Sequence, residues 1–121
     1  MKAIPVPTYR AHCSTGWEPA TAYAPSPDCP LVAQKQRGRA RGWVVAHRRL
    51  GVIVTEDLGT REAALQAAEW MAAKHDWSYT KLPSAWTRDA VAALDVAKEA
   101  SSRFGGKPPL VVWRSSEGGR A

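Results

Sequence analysis

The sequence has little cysteine and no long apolar run. Its 121 residues include two cysteines, Cys13 and Cys29. No apolar stretch approaches the roughly 20 residues that a helix needs to cross a bilayer, and residues 1–7 lack the continuous apolar core of a signal peptide. We therefore expect a cytoplasmic protein without membrane association, in which both cysteines are free thiols rather than a structural disulfide.

Motifs of several enzyme classes are absent as well. The sequence contains no Gly-x-Ser-x-Gly nucleophile elbow, no phosphate-binding loop ending in Gly-Lys-Ser/Thr and no His-Glu-x-x-His motif. Glu56 and Asp57 are adjacent, so a strand would point them to opposite faces and they could not share a proton. His47 could serve as a general base, although a lone strand histidine is more often partly buried. We predict that the protein is not an enzyme and uses no cofactor.

A metal site can be drawn from His12, Cys13 and Cys29, with His47 or His75 as a fourth ligand. The cysteines are separated by fifteen residues in a proline-rich context, and no Cys-x-x-Cys pair is present. This spacing does not match that of ordinary zinc sites, so we expect no metal.

Acidic residues are also absent between Lys35 and Arg49, and this segment carries the whole net charge of +6. The remaining 11 basic and 11 acidic residues cancel. Because concentrated like charges repel one another, such a segment favours a polyanion or another acidic partner. The predicted nucleic-acid-binding residues are therefore Lys35, Arg37, Arg39, Arg41, Arg48 and Arg49.

A basic hairpin can also serve only solubility and protection of a sheet edge. In addition, Arg48 and Arg49 would lie roughly 20 Å from the turn at residues 39–41 if residues 43–49 form one strand, at about 3.3 Å per residue. The six charges need not form one surface, and we give Arg37, Arg39 and Arg41 more weight.

The chain is about one domain long, and its first 30 residues hold six of the nine prolines. Proline removes a backbone donor, so we expect neither a helix nor a central strand in residues 1–30. We predict an extended arm that either wraps the domain through Tyr9, Trp17 and Tyr23 or stays mobile until a partner binds. Residues 31–113 would form one domain, and residues 114–121 a flexible tail.

Hydrophobic periodicity predicts an α+β fold within that domain. Gly51 allows a tight reversal between two strands, and Thr60 is a suitable N-cap for the first helix. The expected elements are strands at 31–37, 43–49 and 52–56, helices at 61–75 and from 84 or 87 to 104, and a strand at 110–113. This order, β-β-β-α-α-β, predicts two helices on one face of a three- to four-stranded, mostly antiparallel sheet.

Six tryptophans are many for this length. Trp70 falls beside the main apolar arc of its helix, so it packs on the second helix or the arm, or is displayed to a partner. Trp70 and Trp86 are the predicted partner-binding residues. Trp77 and Tyr79 could stack on a base, although anchoring their connector is the favoured role.

The segment from Trp43 to Trp77 contains Trp43-Val44-Val45-Ala46-His47, Gly59-Thr60-Arg61-Glu62-Ala63-Ala64 and Asp76-Trp77. In this it resembles short proteins of actinobacterial plasmids and phages that have no agreed activity. Its strand-turn-strand-helix outline is similar to the arm-binding N-terminal domain of tyrosine-family integrases, in which a three-stranded sheet lies in the DNA major groove. The proline-rich arm, second helix and final strand depart from that domain.

These observations favour a small, non-catalytic nucleic-acid-binding or regulatory protein of a mobile element, with duplex DNA as the expected partner. The alternative is a protein-interaction module, such as a phage-encoded inhibitor of a host enzyme, that binds an acidic host protein. A homodimer is a third possibility.

Overall fold

The structure is a computed structural model that describes residues 2–13, 16–36, 42–79 and 88–107. Within these ranges the chain forms seven strands and two helices. They are β1 (Ile4–Pro5), β2 (Arg10–Cys13), β3 (Gly16–Pro19), β4 (Ala22–Ala24), β5 (Leu31–Lys35), β6 (Trp43–His47), β7 (Ile53–Leu58), α1 (Arg61–Lys74) and α2 (Arg88–Phe104).

Five strands form one antiparallel sheet in the order β1-β4-β5-β6-β7, and β2 and β3 form a separate two-stranded sheet. The α+β class is confirmed. The predicted sheet of three to four strands is wrong in strand number and order, because residues 1–30 contribute β1 and β4 to the main sheet. The expected strand at 110–113 lies outside the described residues.

Proline excludes strands over shorter segments than expected for residues 1–30. β4 lies inside the sheet, between β1 and β5, and its three residues fall between Pro19 and Pro25 without containing a proline. Pro5 belongs to the edge strand β1, where its missing N–H leaves no bond unmade inside the sheet. The expectation that no central strand runs through residues 1–30 is therefore wrong.

Both faces of the central strands are covered. Leu31 and Ala33 of β5 join the core beneath α1 and α2, whereas Val32 joins a second core on the opposite face. Tyr9 and Ala11 close that second core, and the Tyr9 hydroxyl donates to Gln34 Oε1 at 2.7 Å. Since both faces are covered, β5 and β6 are buried along almost their whole length instead of alternating between buried and exposed residues.

The helices form largely where local signals place them. The Thr60 hydroxyl accepts a hydrogen bond from Ala63 N–H at 3.0 Å and caps α1, as predicted. α2 packs on α1 and β7 through a face of small residues that allows a close approach, namely Ala90, Ala93, Ala97 and Ala100. Neither helix described here is long and apolar enough to cross a membrane.

Beyond α2 the chain reaches the free edge of β7. Lys107 and Glu56 exchange backbone hydrogen bonds of 2.6 Å in an antiparallel bridge. The amino group of Lys107 also lies 3.5 Å from the carboxylate of Asp57. These contacts fix the position of the chain at the end of the last described segment.

Candidate functional site

The basic segment is divided between two ends of the sheet. Lys35 pairs with Trp43, whereas Leu31 pairs with His47, so Lys35 and Arg48 lie at opposite ends of the β5–β6 pair. The separation is about 13 Å or more at 3.3 Å per residue. Arg37, Arg39 and Arg41 lie outside the described residues. Among the described cations of the segment, Arg48 and Arg49 therefore form a group distinct from Lys35.

The turn that carries Arg48 and Arg49 supports the β2–β3 pair. The backbone N–H of His12 donates to the carbonyl of Gly51 at 2.9 Å. Gly51 has a φ of +68°, and a Cβ at this position would lie 2.5 Å from the Arg10 carbonyl oxygen and 2.8 Å from Cζ3 of Trp17. Glycine is needed here for both the backbone conformation and the close approach.

This docking brings Arg10 and Trp17 next to Arg48 and Arg49. An open pocket of about 410 Å³ lies between them, and we call these four residues the Arg-Trp surface. Trp17 remains 48% exposed, although it packs against Gly51 and contacts the His12 ring edge-on. The described residues that line the pocket include no carboxylate; they are Val6, Pro7, Thr8, Tyr9, Arg10, Trp17, Arg48 and Arg49.

The guanidinium groups of this surface are not neutralised within the described part of the chain. The ion pairs found there involve His75 with Asp89, Arg103 with Glu99, and Lys107 with Asp57, and none includes Arg10, Arg48 or Arg49. Two of the three arginines are held by main-chain carbonyls: Arg10 donates to that of Trp17 at 3.0 Å and Arg48 to that of Pro27 at 2.6 Å. The arrangement is suited to binding an anion.

A second open pocket, of about 440 Å³, is also lined by Arg48 and Arg49. Asp28 lines it, so its charge is mixed. Cys29 also lines it, but this free cysteine is buried, and burial raises the pKa of its thiol. A protonated thiol is a poor nucleophile and metal ligand, so we assign no chemistry to Cys29.

His47 is structural. Its side chain is 3% exposed, Nε2 lies 2.6 Å from the Trp77 carbonyl oxygen, and Nδ1 accepts from Leu50 N–H at 3.1 Å. Because a carbonyl oxygen only accepts, Nε2 carries the proton of a neutral ring. Burial lowers the pKa of His47. With both nitrogens engaged, the ring joins the 48–51 turn to the connector after α1 and has no free atom for general base catalysis.

Two of the tryptophans singled out in the sequence, Trp70 and Trp77, pack within the fold. Trp77 is 1% exposed and donates from Nε1 to the Met71 carbonyl at 3.0 Å, so it anchors the connector and cannot stack on a base. Trp70 is half-buried against Phe104 of α2, with the cations of Arg103 and Lys74 over its ring. Trp86 lies outside the described residues.

No cluster of three or more metal-ligating side chains is found among the described residues. The chain matches no protein-family model, no curated protein and no solved structure. The geometry and charge of the Arg-Trp surface are therefore the main evidence that bears on function.

Sequence reasoning missed Arg10 and gave Trp17 only an anchoring role. Along the sequence, the apolar residues Tyr9 and Ala11 alternate with the polar residues Arg10 and His12. The structure buries Tyr9 and Ala11 and exposes Arg10 and His12. This alternation indicates a half-buried strand and could have identified β2. The proximity of Arg10 to Arg48 depends on tertiary contacts, and no local signal shows it.

We expect Gly51→Ala to lower the free energy of unfolding by more than about 1 kcal/mol, because the methyl group must displace backbone and indole atoms at a strained φ. Gly59→Ala is the matched control, since nothing lies within 4 Å of a Cβ there. Urea unfolding measures both variants. Equal stabilities for Gly51→Ala and Gly59→Ala would contradict the close approach at Gly51.

Stability should also fall on acidification through His47. Since the pKa of His47 is lowered in the folded state, the unfolded chain takes up the proton first as the pH drops below about 6.5. The free energy of unfolding then decreases by at most about 1.4 kcal/mol per pH unit, until the folded-state pKa is reached.

Urea unfolding between about pH 8 and pH 5 tests this in the wild type, His47→Gln and His12→Gln. His47→Gln should flatten the acid-dependent part of the curve, whereas His12→Gln, at an exposed histidine of β2, should keep it. Identical curves for the wild type and His47→Gln would show that His47 does not titrate as described.

Proposed function

We propose that this protein is a small, non-catalytic nucleic-acid-binding protein that contacts phosphates through the Arg-Trp surface. The supporting observation is the grouping of Arg10, Arg48 and Arg49 around one pocket whose described lining contains an exposed indole and no carboxylate. Guanidinium groups match phosphate oxygens in geometry and charge, and the exposed aromatic ring adds a stacking surface.

The assignment of residues differs from the weighting given by the sequence. Arg49 is exposed, and no ion pair or hydrogen bond to another described residue occupies its guanidinium group. Arg10 and Arg48 are oriented by carbonyl groups and retain further donors. Lys35 is exposed at the other end of the sheet, away from the Arg-Trp surface.

Electrostatic binding of this kind depends strongly on salt. Three phosphate contacts give a slope of log K against log salt of about −2 to −3, because each contact releases condensed counterions. The sequence also left an acidic protein partner or a homodimer as alternatives. Either would compete with a nucleic acid for this protein only if it bound the same arginines.

We expect Arg49→Ala to weaken oligonucleotide binding and to reduce the magnitude of the salt slope by about 1, since one phosphate contact is lost. Lys98→Ala is the control: it removes one exposed positive charge from α2, which packs on the opposite side of the sheet from Tyr9 and Ala11. Fluorescence anisotropy of a labelled oligonucleotide at several salt concentrations measures both effects.

The same titrations show which end of the sheet binds. If the combined variant Lys35→Ala, Arg37→Ala, Arg39→Ala and Arg41→Ala loses binding while Arg49→Ala retains it, the contact is made by residues 35–41 and the proposed surface is wrong. Absence of salt-dependent binding in the wild-type protein would remove the nucleic-acid function altogether.

A further inference from the structure

We infer that the ligand of the Arg-Trp surface is a single-stranded nucleic acid, with Trp17 stacking on an unpaired base. This inference rests on the proposed function and narrows it, since the sequence favoured duplex DNA. It depends on three features of one pocket: a supported but exposed indole, apolar side chains in the lining, and arginines in the same lining.

The indole of Trp17 is exposed yet fixed. Its Cζ3 atom packs over Gly51, and its ring meets the His12 ring at 5.0 Å with an interplanar angle of 75°. Trp17 and His12 are opposite one another in the β2–β3 register, so the backbone also sets their positions. A ring held in this way loses little conformational entropy when a ligand stacks on it.

The pocket is lined by both apolar and cationic side chains, which suit the two parts of a nucleotide. Val6 and Pro7 provide apolar surface, and Arg48 and Arg49 provide positive charge. An unpaired nucleotide has a flat apolar base joined to an anionic phosphate, so it can meet both surfaces at once. The volume of about 410 Å³ lies within the range of clefts that hold small ligands.

A duplex fits these features less well. Its bases are stacked on one another, so their faces are closed to an indole unless a base is flipped out or a wedge opens a step. A duplex would therefore engage the arginines and leave Trp17 exposed. An unpaired strand accounts for the indole and the arginines together without base flipping or an opened step.

The test compares a labelled oligothymidylate of about ten nucleotides with a labelled duplex of equal length, by anisotropy at fixed salt. We expect the single strand to bind at least about tenfold more tightly. Trp17→Leu fills much of the space over Gly51 but has no aromatic face, and should weaken single-strand binding about 5- to 150-fold, as for one lost base stack.

Trp17→Phe keeps an aromatic face and should retain most of the affinity. Trp70→Phe is the matched control for loss of an indole, since Trp70 packs on Phe104, and should leave binding unchanged. Circular dichroism establishes that each variant is folded. Duplex affinity should be the same in the wild type and in Trp17→Leu.

The outcomes separate the two proposals. If neither probe binds, the nucleic-acid function and the single-strand inference both fail. If both probes bind equally, Arg49→Ala weakens both and Trp17→Leu weakens neither, the proposed function stands and the inference is overturned. Preference for the single strand with sensitivity to Trp17→Leu and tolerance of Trp17→Phe supports both.

Discussion

The close approach of the β2–β3 pair to Gly51 is the contact on which the candidate site depends. It needs a residue without a Cβ, and it is fixed by the hydrogen bond from His12 N–H to the Gly51 carbonyl. The same docking accompanies the burial of Tyr9 and Ala11 on the sheet face opposite the helices. One backbone contact thus links the coverage of the sheet to the grouping of Arg10 and Trp17 with Arg48 and Arg49.

The positive charges on this surface repel one another only weakly in water, and they favour binding of an anion. Two like charges about 4 Å apart repel by only about 1 kcal/mol in bulk water, and salt screens this further. Exposed arginines can therefore remain unpaired in the free protein. An anion that enters the pocket relieves the repulsion and gains several charge-assisted hydrogen bonds, which favours association without any catalytic group.

Much of the fold could be predicted from local sequence signals. Thr60 as N-cap, the reversal at Gly51, the strands around it and the apolar face of α1 all depend on neighbouring residues. β4 was missed because a proline-free triplet lies inside a proline-rich segment. The site was predicted only in part: Arg48 and Arg49 follow from composition, whereas their contact with residues far earlier in the chain, Arg10 and Trp17, arises from tertiary packing.

The most direct test of the account is to follow backbone amides and arginine side-chain resonances by NMR during titration with an oligonucleotide. The largest shifts should cluster at residues 6–12, Trp17 and 48–51, including the Nε–H signals of Arg10, Arg48 and Arg49. Shifts confined to the Lys35 end of the sheet, or to α1 and α2, would contradict it.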